Sequence, residues 1–185
     1  MTPTFSIRLA KEDFKFSVAH LTIFGPALAE PLHGHNYRLA LEVEGGEVDE
    51  LGLLADCDRL KRAARAACAA LDDKVLLPEA SPHLAVGRSG GGQHAREGTL
   101  AVRFADREYR FPAAEVLLLP IANVTMELLA HWAWQRIARV ARGGAVTSLM
   151  VEIEETPGQL CRYRAALAAA TARPAAGRAT RTKRS

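Results

Sequence analysis

Six histidines are spread along the 185 residues, and their spacing separates three of them from the others. His33-Gly34-His35 is an HxH pair inside an alternating stretch. His33, His35, Tyr37, Leu39, Leu41 and Val43 share one parity; Gly34, Asn36, Arg38, Ala40 and Glu42 take the other. Alternate residues of a strand project from the same face, so both imidazoles stand on the side that continues as apolar. His20 ends a similar run, Phe14, Phe16, Val18 and His20, and a returning neighbour strand would bring it alongside the pair. Three neutral imidazoles around one point, with a fourth position open, form the donor set of a catalytic zinc site. A metal there polarises a substrate oxygen or lowers the pKa of a bound water or hydroxyl. The competing reading is of ordinary half-buried histidines. His83 after Ser-Pro, His94 in a glycine-rich loop and His131 on a helix take that ordinary reading.

One carboxylate stands on an unexpected face. Glu155 shares parity with Leu149, Val151 and Ile153, whereas Glu152 and Glu154 share the opposite parity and read as a solvated face. A charge facing an apolar interior is costly unless paired or hydrogen-bonded. Either a ligand with adjacent N–H donors satisfies Glu155, or the residue ends its strand and reaches water.

The elements that must position these groups follow from the same patterns. Alternation gives strands from Phe14 to His20, from His33 to Val43 and from Val146 to Glu155. Leu60, Ala64, Ala67, Cys68 and Leu71 recur at helical spacing behind Asp56 or Asp58 as cap. A second helix runs from about Thr125 to Arg142, with Asn123 or Thr125 as cap and Gly143-Gly144 beyond its end. Residues 79–115 read as an insert, with a loop at Gly90-Gly91-Gly92. Within it, Thr99–Phe104 and Glu108–Phe111 pair as a hairpin across Ala105-Asp106-Arg107. Hairpin-forming strands with separate helices predict an α+β fold, an antiparallel sheet with two helices on one face.

The composition bounds the rest. The chain is of single-domain size, 49% apolar, with no apolar run of membrane-spanning length and no secretory signal pattern. Cys57, Cys68 and Cys161 are far apart and without a CxxC, so neither a disulfide framework nor a thiolate metal knuckle is expected, and a cytoplasmic setting is. Residues 162–185 hold seven Arg and Lys and no acid; removing those charges from the net +3 leaves −4 on the first 161 residues. Residues 166–185, rich in Ala, Arg and Thr, read as a basic disordered tail after a domain over 1–165. No aromatic residue is interleaved with the tail's charges, which argues against a nucleic-acid arm.

FKFSVAH, PLHGHNY, LDDKVLL, NVTMELLAHWAW and EETPGQLCRY, in that order over residues 12–164, resemble the 6-pyruvoyl-tetrahydropterin synthase and 6-carboxytetrahydropterin synthase family. The resemblance implies a tunnelling fold, assembled as an oligomeric barrel: a homohexamer made of two trimers, with active sites between subunits. It implies zinc on His20, His33 and His35, a reduced pterin as substrate, Glu155 as the pterin anchor, and Asn123 and Thr125 close to the pterin. Helix capping is the alternative role for the last two.

Two departures bear on the reaction. Family members that make 6-pyruvoyl or 6-carboxy products carry a cysteine as base shortly before HGH; here Gly25 to Leu32 has none, and Glu30 stands three before His33. That ExxHGH pattern resembles the subgroup that cleaves dihydroneopterin triphosphate to 6-hydroxymethyl-dihydropterin. Asp72-Asp73 stands where the family has Asp-His. A carboxylate relays protons only if burial or a neighbour raises its pKa, and a solvated helix end is the alternative reading. The expectation is a zinc-dependent lyase with Glu30 as base and Asp72 and Asp73 as relay. The alternatives are 6-carboxytetrahydropterin (queuosine-type) or 6-pyruvoyl-tetrahydropterin synthesis, or a non-catalytic zinc- and pterin-binding homo-oligomer.

Overall fold

The computed structural model describes residues 4–89, 98–142 and 145–167. In chain order the elements are β1 Phe5–Leu9, β2 Lys15–His20, β3 His33–Gly45, α1 Cys57–Leu71, β4 Lys74–Pro78, β5 Ala85–Ser89, β6 Thr99–Phe104, β7 Arg107–Pro112, β8 Val116–Leu119, α2 Met126–Ala141, β9 Ser148–Thr156 and β10 Gln159–Ala166. The expected α+β class with two helices holds. A seven-stranded sheet runs β10-β9-β3-β2-β4-β8, and β1 pairs with the far half of β3. It is antiparallel from β10 to β2, as the alternation predicts, and continues through two parallel pairs, β2 with β4 and β4 with β8. The short apolar strands β4 and β8 carry no alternation that would have announced them.

The two strand parities separate as predicted. Tyr37, Leu39, Leu41 and Val43 of β3 join Leu149, Val151 and Ile153 of β9 in one core with both helices. On α1 the buried residues are the five at helical spacing, and Asp56 caps the helix by accepting from the Arg59 N–H. Thr125 caps α2, accepting from Leu128 N–H. No helix is long and apolar enough to cross a membrane among the described residues.

The other face of the sheet differs from expectation. Glu152 is buried, not solvated: it lies between Arg8 at 2.7 Å and Arg162 at 2.6 Å. Arg162 and Arg164 lie on β10, and Arg164 pairs with Glu42 and Glu44. Arg162 stands directly across from Glu152 in the antiparallel β9–β10 pair, whereas Arg8 and Arg164 reach their partners past an intervening strand. Ala166 closes β10 and Leu167 is buried; the rest of the basic tail, Gly143-Gly144, the triple-glycine loop and His94 lie outside the described residues.

The insert forms its own three-stranded sheet, β5-β6-β7. Its hairpin turn is the two residues Ala105-Asp106, because Arg107 already pairs with Phe104. Phe104 packs with Leu21, Ile23 and Ala29 in a small second core, which ties the insert to the loop carrying Glu30.

Candidate metal and pterin site

Pairing of β2 with β3 sets His20 directly across from His33, and Val18 across from His35. A Cβ on Gly34 would lie 3.2 Å from the Val18 carbonyl oxygen, so glycine eases the close approach of the two strands between the paired imidazoles. The ligating nitrogens of His20, His33 and His35 all lie within 4.8 Å of one another. The cluster stands where the core-facing side of the sheet runs toward solvent: His20 is 1% exposed, while the His35 and His33 side chains are 23% and 33% exposed.

The protonation states suit a metal. His33 Nδ1 lies 2.8 Å from the Pro31 carbonyl; a carbonyl only accepts, so in the neutral ring the proton sits on Nδ1 and Nε2 is the nitrogen left to ligate. Burial, then repulsion from His33, pushes the His20 pKa below its ordinary value, which favours the neutral, ligating form.

Glu155 does face this cluster. Its Oε1 is 3.7 Å from His20 Nε2 and 3.6 Å from His35 Nε2. The Tyr37 hydroxyl donates to Oε1 at 2.6 Å, and the Gln159 amide donates to Oε2 at 3.0 Å. Burial and the adjacent Glu155 carboxylate hold the Tyr37 phenol far above its usual pKa, so it remains a donor. Parity flagged Glu155, but neither Tyr37 nor Gln159 was singled out. Tyr37 shares the histidines' face, so its hydroxyl on an otherwise apolar run was the available signal.

Glu30 approaches His33, with Oε2 3.8 Å from His33 Nε2. Asp72 and Asp73 do not join the cluster within the subunit. Asp72 accepts from the Ser17 N–H at 2.7 Å, and Asp73, at φ +54°, donates its N–H to the Ser17 carbonyl. Ser17 is three positions from His20, about 10 Å at a rise of about 3.3 Å per residue. Asp73 also borders a cavity of about 420 Å³ whose lining includes Ser17, Ala19, Gly34 and Asn36 together with His35. A larger cavity, about 610 Å³, lies between the start of α1 and the end of α2 and is lined by no histidine.

Asn123 clamps the chain after β2: its side chain accepts from the Ile23 N–H and donates to the Ile23 carbonyl. His131 lies against Tyr163 and Gln135, and His83 is exposed in a turn. Both keep the ordinary reading.

Comparison with known proteins bears on the family and the fold. A Methanocaldococcus jannaschii protein with the provisional name 6-carboxy-5,6,7,8-tetrahydropterin synthase is 30% identical over 153 residues, covering 81% of this chain and 89% of its own. A Pyrococcus abyssi protein of the same provisional name is 31% identical over 126 residues, 68% of this chain and 69% of its own. Among solved structures, Plasmodium falciparum 6-pyruvoyl tetrahydropterin synthase superposes with a TM-score of 0.79 at 22% identity, covering 88% of this chain and 98% of that one. A catalytic-residue mutant of the Plasmodium vivax enzyme gives 0.78 at 23% identity, covering 89% and 99%; both show the shared fold. The profile of 6-pyruvoyl tetrahydropterin synthase matches residues 8–166, and the chain therefore belongs to that family of pterin lyases.

Proposed function

We propose that the protein is a zinc-dependent lyase of the glutamate (ExxHGH) subgroup, converting 7,8-dihydroneopterin or its triphosphate to 6-hydroxymethyl-7,8-dihydropterin. The observation that carries this reading is the Glu30 carboxylate beside the three histidines, 3.8 Å from His33. Two solved variants of the Plasmodium vivax relative, in which a catalytic glutamate is replaced by alanine or by cysteine, support a carboxylate base in this fold.

Three imidazoles with one further position open suit zinc, which when bound supplies Lewis acidity toward the substrate's side-chain hydroxyls. Glu155 anchors the pterin. A carboxylate has about four acceptor sites; Tyr37 and Gln159 take one on each oxygen, leaving one on each for the adjacent N–H and amine of the pterin edge. Asn123 and Thr125 border the ring while holding the loop after β2 and the start of α2. Glu30 takes the proton of the side-chain C2′ hydroxyl. Breaking C1′–C2′ then leaves that oxygen as an aldehyde carbonyl and the electron pair on C1′. Return of the proton to C1′ completes the hydroxymethyl group, and a two-carbon aldehyde departs with whatever phosphate the substrate carried.

Asp72 and Asp73 enter this scheme as relays only from a neighbouring copy, since their own subunit turns them away from its histidines. The assembly we infer is a homohexamer built as a dimer of trimers, and exposed Phe24 and Leu28 beside the site suit a subunit boundary. Three free cysteines suit a reducing, cytoplasmic setting.

The second reading is 6-carboxytetrahydropterin synthesis, favoured by the provisional names of the archaeal relatives. Chromatography of products from zinc-loaded wild type and Glu30→Ala tests the first reading. It predicts a loss of roughly 10²- to 10⁴-fold in turnover at unchanged metal content. Wild-type turnover by Glu30→Ala would remove Glu30 as base.

A further inference from the structure

We propose that Arg107, contributed by the insert, is a positioning residue that fixes the Glu30 carboxylate at the metal site. Glu30 sits on the loop between β2 and β3, which folds as a small ribbon. Ile23 bridges Ala29, the Phe24 N–H donates to the Leu28 carbonyl at 2.8 Å, and the Glu30 N–H donates to the Thr22 carbonyl at 3.0 Å. Asn123 grips one arm of the ribbon at Ile23. Arg107 grips the other: its guanidinium donates to the Glu30 carbonyl at 2.7 Å and to the Ala29 carbonyl at 3.0 Å.

Arg107 is itself set by the hairpin turn. Ala105, at φ +50°, turns the chain back so that Arg107 pairs with Phe104. Phe104, 1% exposed, is packed under the ribbon against Leu21, Ile23 and Ala29, and the guanidinium carbon lies 5.8 Å from its ring centre. Among the described residues no carboxylate pairs with Arg107, so its fork is committed to the two backbone carbonyls. A planar guanidinium presents fixed parallel donors; an ammonium can satisfy one carbonyl but not reproduce the fork. Holding the Glu30 peptide fixes the direction in which its side chain leaves the backbone, and an error of about 1 Å in a reacting group costs on the order of 10²-fold in rate. The insert thereby gains a role at the site, although none of its described residues is among the clustered histidines.

This inference rests on Glu30 being the base, and hydrogen exchange separates the two claims. In Arg107→Ala, amides over residues 21–30 should exchange at least about tenfold faster while those of α2 and β9 stay unchanged. The kcat should fall roughly 10- to 100-fold with KM within about threefold and zinc content unaltered. Arg107→Lys should fall between, and Glu30→Ala with Arg107→Ala should be no slower than Glu30→Ala alone. Unchanged exchange over 21–30, or losses that multiply in the double variant, would overturn the proposal. If Glu30→Ala turns over like wild type, the base assignment fails. Faster loop exchange in Arg107→Ala or Arg107→Lys would then still support Arg107 as the clamp of this loop, and unchanged exchange would still overturn it.

Discussion

Glu155 sits close enough to two histidines to be taken for a fourth metal ligand, and its hydrogen bonds argue otherwise. Its Oε1, 3.7 and 3.6 Å from His20 and His35, is already engaged by Tyr37 at 2.6 Å, and its Oε2 by Gln159 at 3.0 Å. Glu155→Gln should therefore leave metal binding intact and weaken pterin binding roughly 10- to 100-fold, the value of a charge-assisted hydrogen bond of about 1.5–3 kcal/mol. Metal analysis and calorimetric titration with a reduced pterin check this; loss of the metal together with binding would make Glu155 a ligand. At this scale much was legible, because strand parity is a two-way choice. The histidine trio and Glu155 each needed only the right face and a neighbour. Arg107 and Gln159 were not legible, because their partners depend on how separate segments meet: Arg107 lies 77 positions from the carbonyl it holds.

Among the elements, the long and strongly periodic ones could be read from sequence: β3, β9, α1, α2 and the β6–β7 hairpin. Strands β4 and β8 could not, since short apolar segments buried in a parallel pairing look alike in any structure. Strand β10 has no apolar alternation to announce it, and Glu152 reads as solvated in sequence because its partners come from β1 and β10. The arrangement of Glu152 is asymmetric: its side chain is 8% exposed, whereas Arg8 and Arg162 are 48% and 59% exposed. Removing the acid returns two solvated arginines to water, while removing both arginines strands a buried carboxylate. Glu152→Gln should thus cost about 1–2 kcal/mol, and Arg8→Ala with Arg162→Ala about 3–5 kcal/mol, read from urea unfolding midpoints. The reverse order would mean that Glu152 finds other donors or water once the arginines are gone.

For the whole molecule, the fold follows from one division of labour: the core-facing side of the sheet holds both helices and ends in the histidines, and the other side is laced with charge. The proposed assembly and the proposed relay through Asp72 and Asp73 would lie beyond a single chain; within it, both aspartates bond to Ser17. The sequence alone leaves the insert's role open; in the structure Phe104 and Arg107 brace the loop that carries Glu30. The account's central claim, that a carboxylate at this position directs carbon–carbon cleavage, is tested most directly by product stoichiometry. Zinc-loaded protein would be incubated with 7,8-dihydroneopterin and with its triphosphate, and both fragments quantified. The account predicts 6-hydroxymethyl-7,8-dihydropterin and a two-carbon aldehyde, free or phosphorylated according to the substrate, in equal amounts. A 6-carboxy or 6-pyruvoyl pterin, formed with release of inorganic triphosphate from the phosphorylated substrate, would contradict it.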